Sequence, residues 1–179
     1  MSAKENFANT FGTLICGAVA FTFGFFIPSK IINAENHTIF AEIGVLRFIG
    51  PVFILIGLIG TLACYWNFIF DAKGAPLIEG MQKYLIVKGL YRYVRNPIYI
   101  SWYLILFGEA VYFQSLDLLL YLFGWMVFFQ IKVIYSEEPY LSVTFGKSYD
   151  AYRKSVRRWI PRLKAYTIET NELENEKTI

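Results

Sequence analysis

Charge-free apolar runs separated by short polar segments fill most of the first three-quarters of the chain. Residues 8–27 (ANTFGTLICGAVAFTFGFFI) and 48–70 (FIGPVFILIGLIGTLACYWNFIF) carry no charged side chain. Residues 97–113 hold one, Glu109, and residues 116–135 are apolar apart from Asp117 at the start and Lys132 near the end. A helix needs about 20 apolar residues to cross a hydrocarbon layer of roughly 30 Å. The pattern therefore predicts four spans, at 8–27, 48–70, 97–113 and 116–135. The first run is too long for a signal-peptide core, and Lys4 and Glu5 before it give no basic bias. The expected fold is all-α and membrane-embedded, one domain over residues 1–165.

The turn FQSLD, Phe113 to Asp117, is so short that spans three and four must form a tight antiparallel hairpin. Their outer ends, near Pro97 and Glu137, then become neighbours although some forty residues apart in sequence. In the tail, Phe145, Tyr149, Tyr152, Val156 and Trp159 recur at spacings of four, three, four and three, the period of a helix. Lys147, Arg153, Lys154, Arg157 and Arg158 fall between them, and Pro161 is expected to end that helix just before it. A basic helix with an aromatic stripe suits the headgroup plane; it could equally pack onto the ends of the spans. Residues 166–179 are polar and acidic and are expected to be disordered.

Composition changes the picture mainly through where charge falls. Hydrophobic residues make up 56% of the chain, which argues against an ordinary soluble domain, and the net charge is only +3. Basic residues gather in two places: Lys73, Lys83, Lys88, Arg92 and Arg95 between spans two and three, and Lys147 to Lys164 after span four. The positive-inside rule puts both segments in the cytoplasm, and four spans then put both termini there. Cys16 and Cys64 lie inside spans, His37 stands alone in a loop, and neither a disulfide framework nor a metal site follows. There is no Gly-rich dinucleotide fingerprint, P-loop, HExxH or nucleophile triad. Expected partners are a lipophilic small molecule and membrane lipids, with no nucleic acid and no metal; the pattern carries no signature of oligomeric state.

Three clusters could carry chemistry. In VRNPIY, Pro97 suits the first turn of a helix, where its missing amide costs nothing. Arg92 and Arg95 read either as arginines snorkelling toward phosphates or as part of a pocket. In SEEPY, Glu137 and Glu138 follow an apolar span on a basic side of the membrane; they read as partners of nearby arginines or as a carboxylate held in a membrane-edge cavity. Adjacent helical residues point about 100° apart, so one can face the hairpin while the other meets an arginine or solvent. In KYLIVKGLYRY, a short apolar run, Gly89 and Tyr91 read as a surface strap or as a backbone segment bonding a heteroaromatic ring. Glu109 is placed to reach the far interface, Asn67 and Gln130 to bond between helices, and Lys132 to snorkel or to join the pocket.

The ordered pair LIVKGLYRYVRNPIYISWY and SEEPYLSVTFGKSYDAYRKSVRRWIPR, over about residues 76–163, resembles the isoprenylcysteine carboxyl methyltransferase family and its wider prokaryotic and phospholipid methyltransferase relatives. The resemblance implies a membrane enzyme that takes S-adenosylmethionine at its cytoplasmic face and a lipophilic acceptor from the bilayer. It implies cofactor contacts at Lys83, Tyr84, Leu85 and Ile86, at Tyr91, at Arg95, Asn96, Pro97 and Tyr99, and at Glu137 with Glu138 beside it. Asn96 stands where many members have histidine, and it cannot titrate near neutral pH. Val133, with Lys132 beside it, stands where the prenylcysteine enzymes have an arginine suited to a substrate carboxylate. No catalytic base is implied. The competing expectations are a non-enzymatic membrane carrier or assembly protein on the same scaffold, and a nicotinamide-dependent membrane reductase.

Overall fold

The computed structural model describes residues 15, 17–19, 21–34, 44–67 and 85–167. Every regular element among them is helical. A helical segment ends in a π-turn, Thr22–Phe26, followed by α1, Ile27–Ile32. A 3-10 turn, Leu46–Ile49, leads into α2, Gly50–Asn67. Another, Gly89–Arg92, precedes α3, Pro97–Phe113. Then come α4, Leu116–Lys132, a π-turn, Val133–Glu137, and α5, Glu138–Ser155.

Among the described residues two helices are long and apolar enough to cross a membrane: Arg47–Asn67, and Leu116–Ser155, which kinks at Gly146. Pro97–Phe113 and Gly17–Ile32 are apolar but shorter. The third predicted span coincides with α3. Predicted residues 8–14 and 68–70 of the first two spans lie outside the described residues, as do His37, Lys83 and Tyr84. Val52, Leu55, Ile59 and Leu62 on α2 and Leu120, Phe123, Phe128 and Ile131 on α4 are all exposed. Aliphatic and aromatic surface on this scale is what a lipid-facing helix presents.

Helices α2 and α3 meet through backbone. A Cβ added at Gly57 would lie 2.5 Å from the Ser101 carbonyl oxygen, and one at Gly108 would lie 2.6 Å from that of Gly50. In a bilayer no hydrophobic effect drives helices together, so close approach through small residues supplies the packing. The hairpin between α3 and α4 reverses over two residues. Gln114 takes a left-handed conformation (φ 54°), and the buried Ser115 hydroxyl caps α4 by accepting the Leu118 amide at 3.3 Å.

Three expectations need correction. The π-turn carries α4 into α5, and the tail helix follows a kink at Gly146. It stops at Ser155 rather than just before Pro161: Val156 is extended (φ −116°, ψ 126°), and the chain from there pairs with residues 92–96. Gly146, at φ 49° and ψ −125°, interrupts the helical period in a conformation open to glycine. The ordered chain runs past residue 165, since Tyr166 and Thr167 both hydrogen-bond Arg92; residues 168–179 lie outside the described part. Glu109 is 6% exposed, drawn into the helical packing rather than out to the far interface.

Candidate active site

The two polar clusters meet at the end of the hairpin. The Tyr99 hydroxyl and the Lys132 ammonium both donate to Oε1 of Glu137. Glu138, turned about a third of a helical revolution away, takes the arginines. Arg158 grips it through Nε at 2.6 Å and Nη2 at 2.9 Å, and Arg95 Nη2 lies 3.2 Å from Oε1. Arg95 also donates to the Tyr149 hydroxyl at 3.2 Å, while its Nε is buried with no acceptor among the described residues. At 11% exposure Arg95 is no snorkelling residue. The Glu138 hydrogen bonds raise the pKa of Arg158 and hold its guanidinium charged.

A strap formed by the chain after α5 holds this arrangement. The Arg95 amide donates to the Arg157 carbonyl (3.0 Å), the Arg162 amide to Tyr93 (2.9 Å) and the Tyr166 amide to Arg92 (2.9 Å). Asn96 Nδ2 donates to the Arg158 carbonyl at 3.2 Å, and Trp159 Nε1 donates to Gln130 on α4 at 2.6 Å. Asn96 is thus a strap fastener, and Gln130 bonds the strap rather than a second span. Beneath it the aromatic stripe of α5 faces inward: Tyr149, Tyr152 and Val156 are buried against Val87. The Tyr152 hydroxyl donates to the Tyr91 carbonyl at 2.6 Å.

The remaining predicted residues are core or lie beside it. Ile86, Tyr91 and Tyr99 share a buried cluster with Cys64, Ile98, Phe129 and Val133. Tyr91 is 8% exposed, a core ring rather than an open stacking wall, and burial pushes its phenol pKa well above the usual value. Leu85 packs against the Tyr149–Tyr152 cluster, and Pro97 is buried at the start of α3. The sequence reading noted Arg158, Trp159, Gln130 and Tyr149 but did not assign them to the site. Pro161 within RRWIPR was the available signal that this stretch leaves the helix.

One turn deeper lies an apolar cavity of about 190 Å³. Its walls come from the first helical segment, α2, α3 and α4, and include Phe23, Leu58, Trp102, Tyr103, Trp125 and Phe129. Phe129 stacks on Tyr99 with ring centroids 4.1 Å apart, so one aromatic layer separates the cavity from the Tyr99–Glu137 bond. The Trp159 ring lies 6.0 Å from that of Tyr103 and 6.4 Å from that of Tyr99.

The sequence profile of the phospholipid methyltransferase family matches residues 45–148, more than half of the chain and the whole of the hairpin. The chain belongs to this family. It is also 37% identical over 78 residues to a protein-S-isoprenylcysteine O-methyltransferase of Dictyostelium discoideum, covering 43% of this chain and 32% of that protein. A protein of the same description from Schizosaccharomyces pombe is 38% identical over 79 residues, 43% of this chain and 33% of the relative. The match thus spans about a third of the length of these curated relatives. No solved structure matches the chain.

Proposed function

We propose that this family member transfers a methyl group from S-adenosylmethionine to a lipophilic acceptor, at the cytoplasmic face of a membrane that its four apolar helical segments span. The observation that carries the reading is the meeting of Tyr99–Glu137 and Arg95–Glu138–Arg158 at the hairpin end, one aromatic layer above an apolar cavity. Family membership and the activity named for both relatives support it.

The residues fit the methyl donor by their chemistry. The donor carries an amino-acid end with a carboxylate and an ammonium, a ribose and an adenine. Arg95 Nε is a buried cationic donor with no acceptor among the described residues, suited to a carboxylate. Tyr99 and Lys132 both use Oε1 of Glu137, and a carboxylate has further acceptor sites for an ammonium or a ribose hydroxyl. When bound, S-adenosylmethionine supplies a methyl group already activated by its sulfonium. The chain's own work is to bind, align and exclude water, and such alignment is worth on the order of 7–11 kcal/mol. Tyr99 orients Glu137 through their hydrogen bond, Lys132 offsets its charge, and the bonds from Asn96 to Arg158 and from Trp159 to Gln130 fasten the strap over the hairpin end.

The test is binding of radiolabelled S-adenosylmethionine to the detergent-solubilised protein, followed by methyl transfer to a lipid extract with product analysis by mass spectrometry. Glu137→Ala and Tyr99→Ala are each expected to weaken donor binding tenfold or more. Folded wild-type protein that binds no donor would overturn the reading, and competition by a nicotinamide cofactor would favour a reductase.

A further inference from the structure

The strap over the hairpin end leaves its outer face unpartnered. Ile160 is 60% exposed and Leu163 entirely so. Lys154, Arg157 and Lys164 are exposed as well, and their side chains make no ion pair or hydrogen bond with any described residue. Residues 151–167 contain no acidic side chain. The segment is also closed on itself. Arg162 Nη1 donates to the Ser155 carbonyl at 3.2 Å, so the stretches that carry Lys154 and Lys164 run close together.

The strap cannot turn these side chains inward, because its backbone bonds to Tyr93, Arg92 and the Arg95 amide fix it on both sides of them. Single exposed aliphatic residues are ordinary on a protein surface; here two lie three residues apart on a fastened strap, among unpaired cations. Depth says what they meet. Trp159, next to Ile160, donates to Gln130, which lies seven residues, about 10 Å, from Glu137 toward the apolar middle of α4. The strap therefore dips toward the apolar part of the hairpin instead of standing off into water. Aliphatic side chains set between cations suit a headgroup layer, the former entering the acyl boundary and the latter meeting anionic groups. The competing occupant is the chain's own residues 168–179, with four glutamates and one lysine. They offer carboxylates to the cations but only three aliphatic residues to cover Ile160 and Leu163.

Resting on the placement of the hairpin end at a membrane face, and not on methyl transfer, we infer that the strap is a docking surface for anionic lipid: Ile160 and Leu163 enter the acyl boundary while Lys154, Arg157 and Lys164 hold negatively charged headgroups. The same strap gives Arg158 to Glu138 and the Arg157 carbonyl to the Arg95 amide, so the lipid-held segment is the one that clasps the candidate site.

Lipid nanodiscs test this on the full chain without any methyl donor. Leu163→Cys is labelled with a polarity-sensitive NBD maleimide, and the wild-type chain, which keeps Cys16 and Cys64, is the labelling blank. Discs of phosphatidylcholine are compared with discs that also hold phosphatidylserine. In the anionic discs NBD emission should shift to the blue, and its quenching by the neutral, water-soluble acrylamide should fall severalfold. Both changes should vanish at about 1 M salt, where the screening length is about 3 Å. Lys154→Gln, Arg157→Gln and Lys164→Gln together should weaken docking about a hundredfold, at roughly fivefold per cation, and make the two lipids alike, with circular dichroism unchanged. A chain ended after Thr167 should dock as the full chain does. A label equally shielded or equally open in both discs would overturn the inference, as would a triple variant that still tells them apart, or shielding that disappears with residues 168–179. Docking as expected with no S-adenosylmethionine binding would sink the methyltransferase reading alone; donor binding without docking would sink only this inference.

Discussion

Glu138→Gln removes the negative charge that two guanidiniums share while keeping the side chain's size. Arg95 and Glu138 are 11% and 15% exposed, so their pair is largely withdrawn from water, whereas Arg158 is 28% exposed. Removing one partner of a buried pair costs about 3–5 kcal/mol, because the other charge is stranded. The partial exposure here lowers that figure, and the better solvated Arg158 adds only about 1 kcal/mol. A net loss of about 3 kcal/mol follows. For a chain of this size a kilocalorie moves the midpoint by roughly 2–4 °C, so the melting temperature should fall by about 6–12 °C. The assay is thermal unfolding in one detergent at one scan rate, since unfolding of such proteins is often irreversible. Asp150→Asn is the control: its pair with Arg153 is 44% and 41% exposed, and its loss should shift the midpoint by no more than about 2 °C. Adding Arg158→Gln to Glu138→Gln should recover part of the loss, because one stranded cation is removed. A Glu138→Gln midpoint no lower than that of Asp150→Asn would refute the view that this carboxylate holds the hairpin end together.

Other outcomes follow from packing and titration. Gly57→Ala drives a Cβ to 2.5 Å from the Ser101 carbonyl oxygen and should cost about 1–3 kcal/mol in the same melt. Gly124→Ala meets nothing within 4 Å and should instead stabilise by roughly 0.5–1 kcal/mol through helix propensity. Trp159→Phe deletes the strap's hydrogen bond to Gln130; S-adenosylmethionine binding should weaken several-fold while secondary structure by circular dichroism stays the same. Burial raises the folded-state pKa of Tyr91 above its ordinary 10.0. The unfolded chain therefore gives up that proton first as pH rises, and the associated stability is whole below pH 10 and lost above it. Denaturant melts across that range should show the decline, and Tyr91→Phe should reduce its slope.

Much of this protein was legible in the residues taken in order. Charge-free runs set the helices, because a bilayer leaves backbone groups no partner but their own helix. Pro97 marked the start of α3, and the two-residue reversal at Gln114–Ser115 made VRNPIY and SEEPY neighbours. Adjacency along a helix foretold that Glu137 and Glu138 would divide their duties. Tertiary structure alone decided what those duties are. Periodicity says that Tyr149, Tyr152 and Val156 share a face, but not that the chain straightens at Val156 and returns to hydrogen-bond residues 92–96. That return is a long-range pairing of backbone groups with no local period to announce it, and it makes Arg158 rather than solvent the partner of Glu138. The cavity is likewise a property of no single segment. It is the space left where four helical segments fail to close, and only their packing shows that Phe129 stands between it and Tyr99.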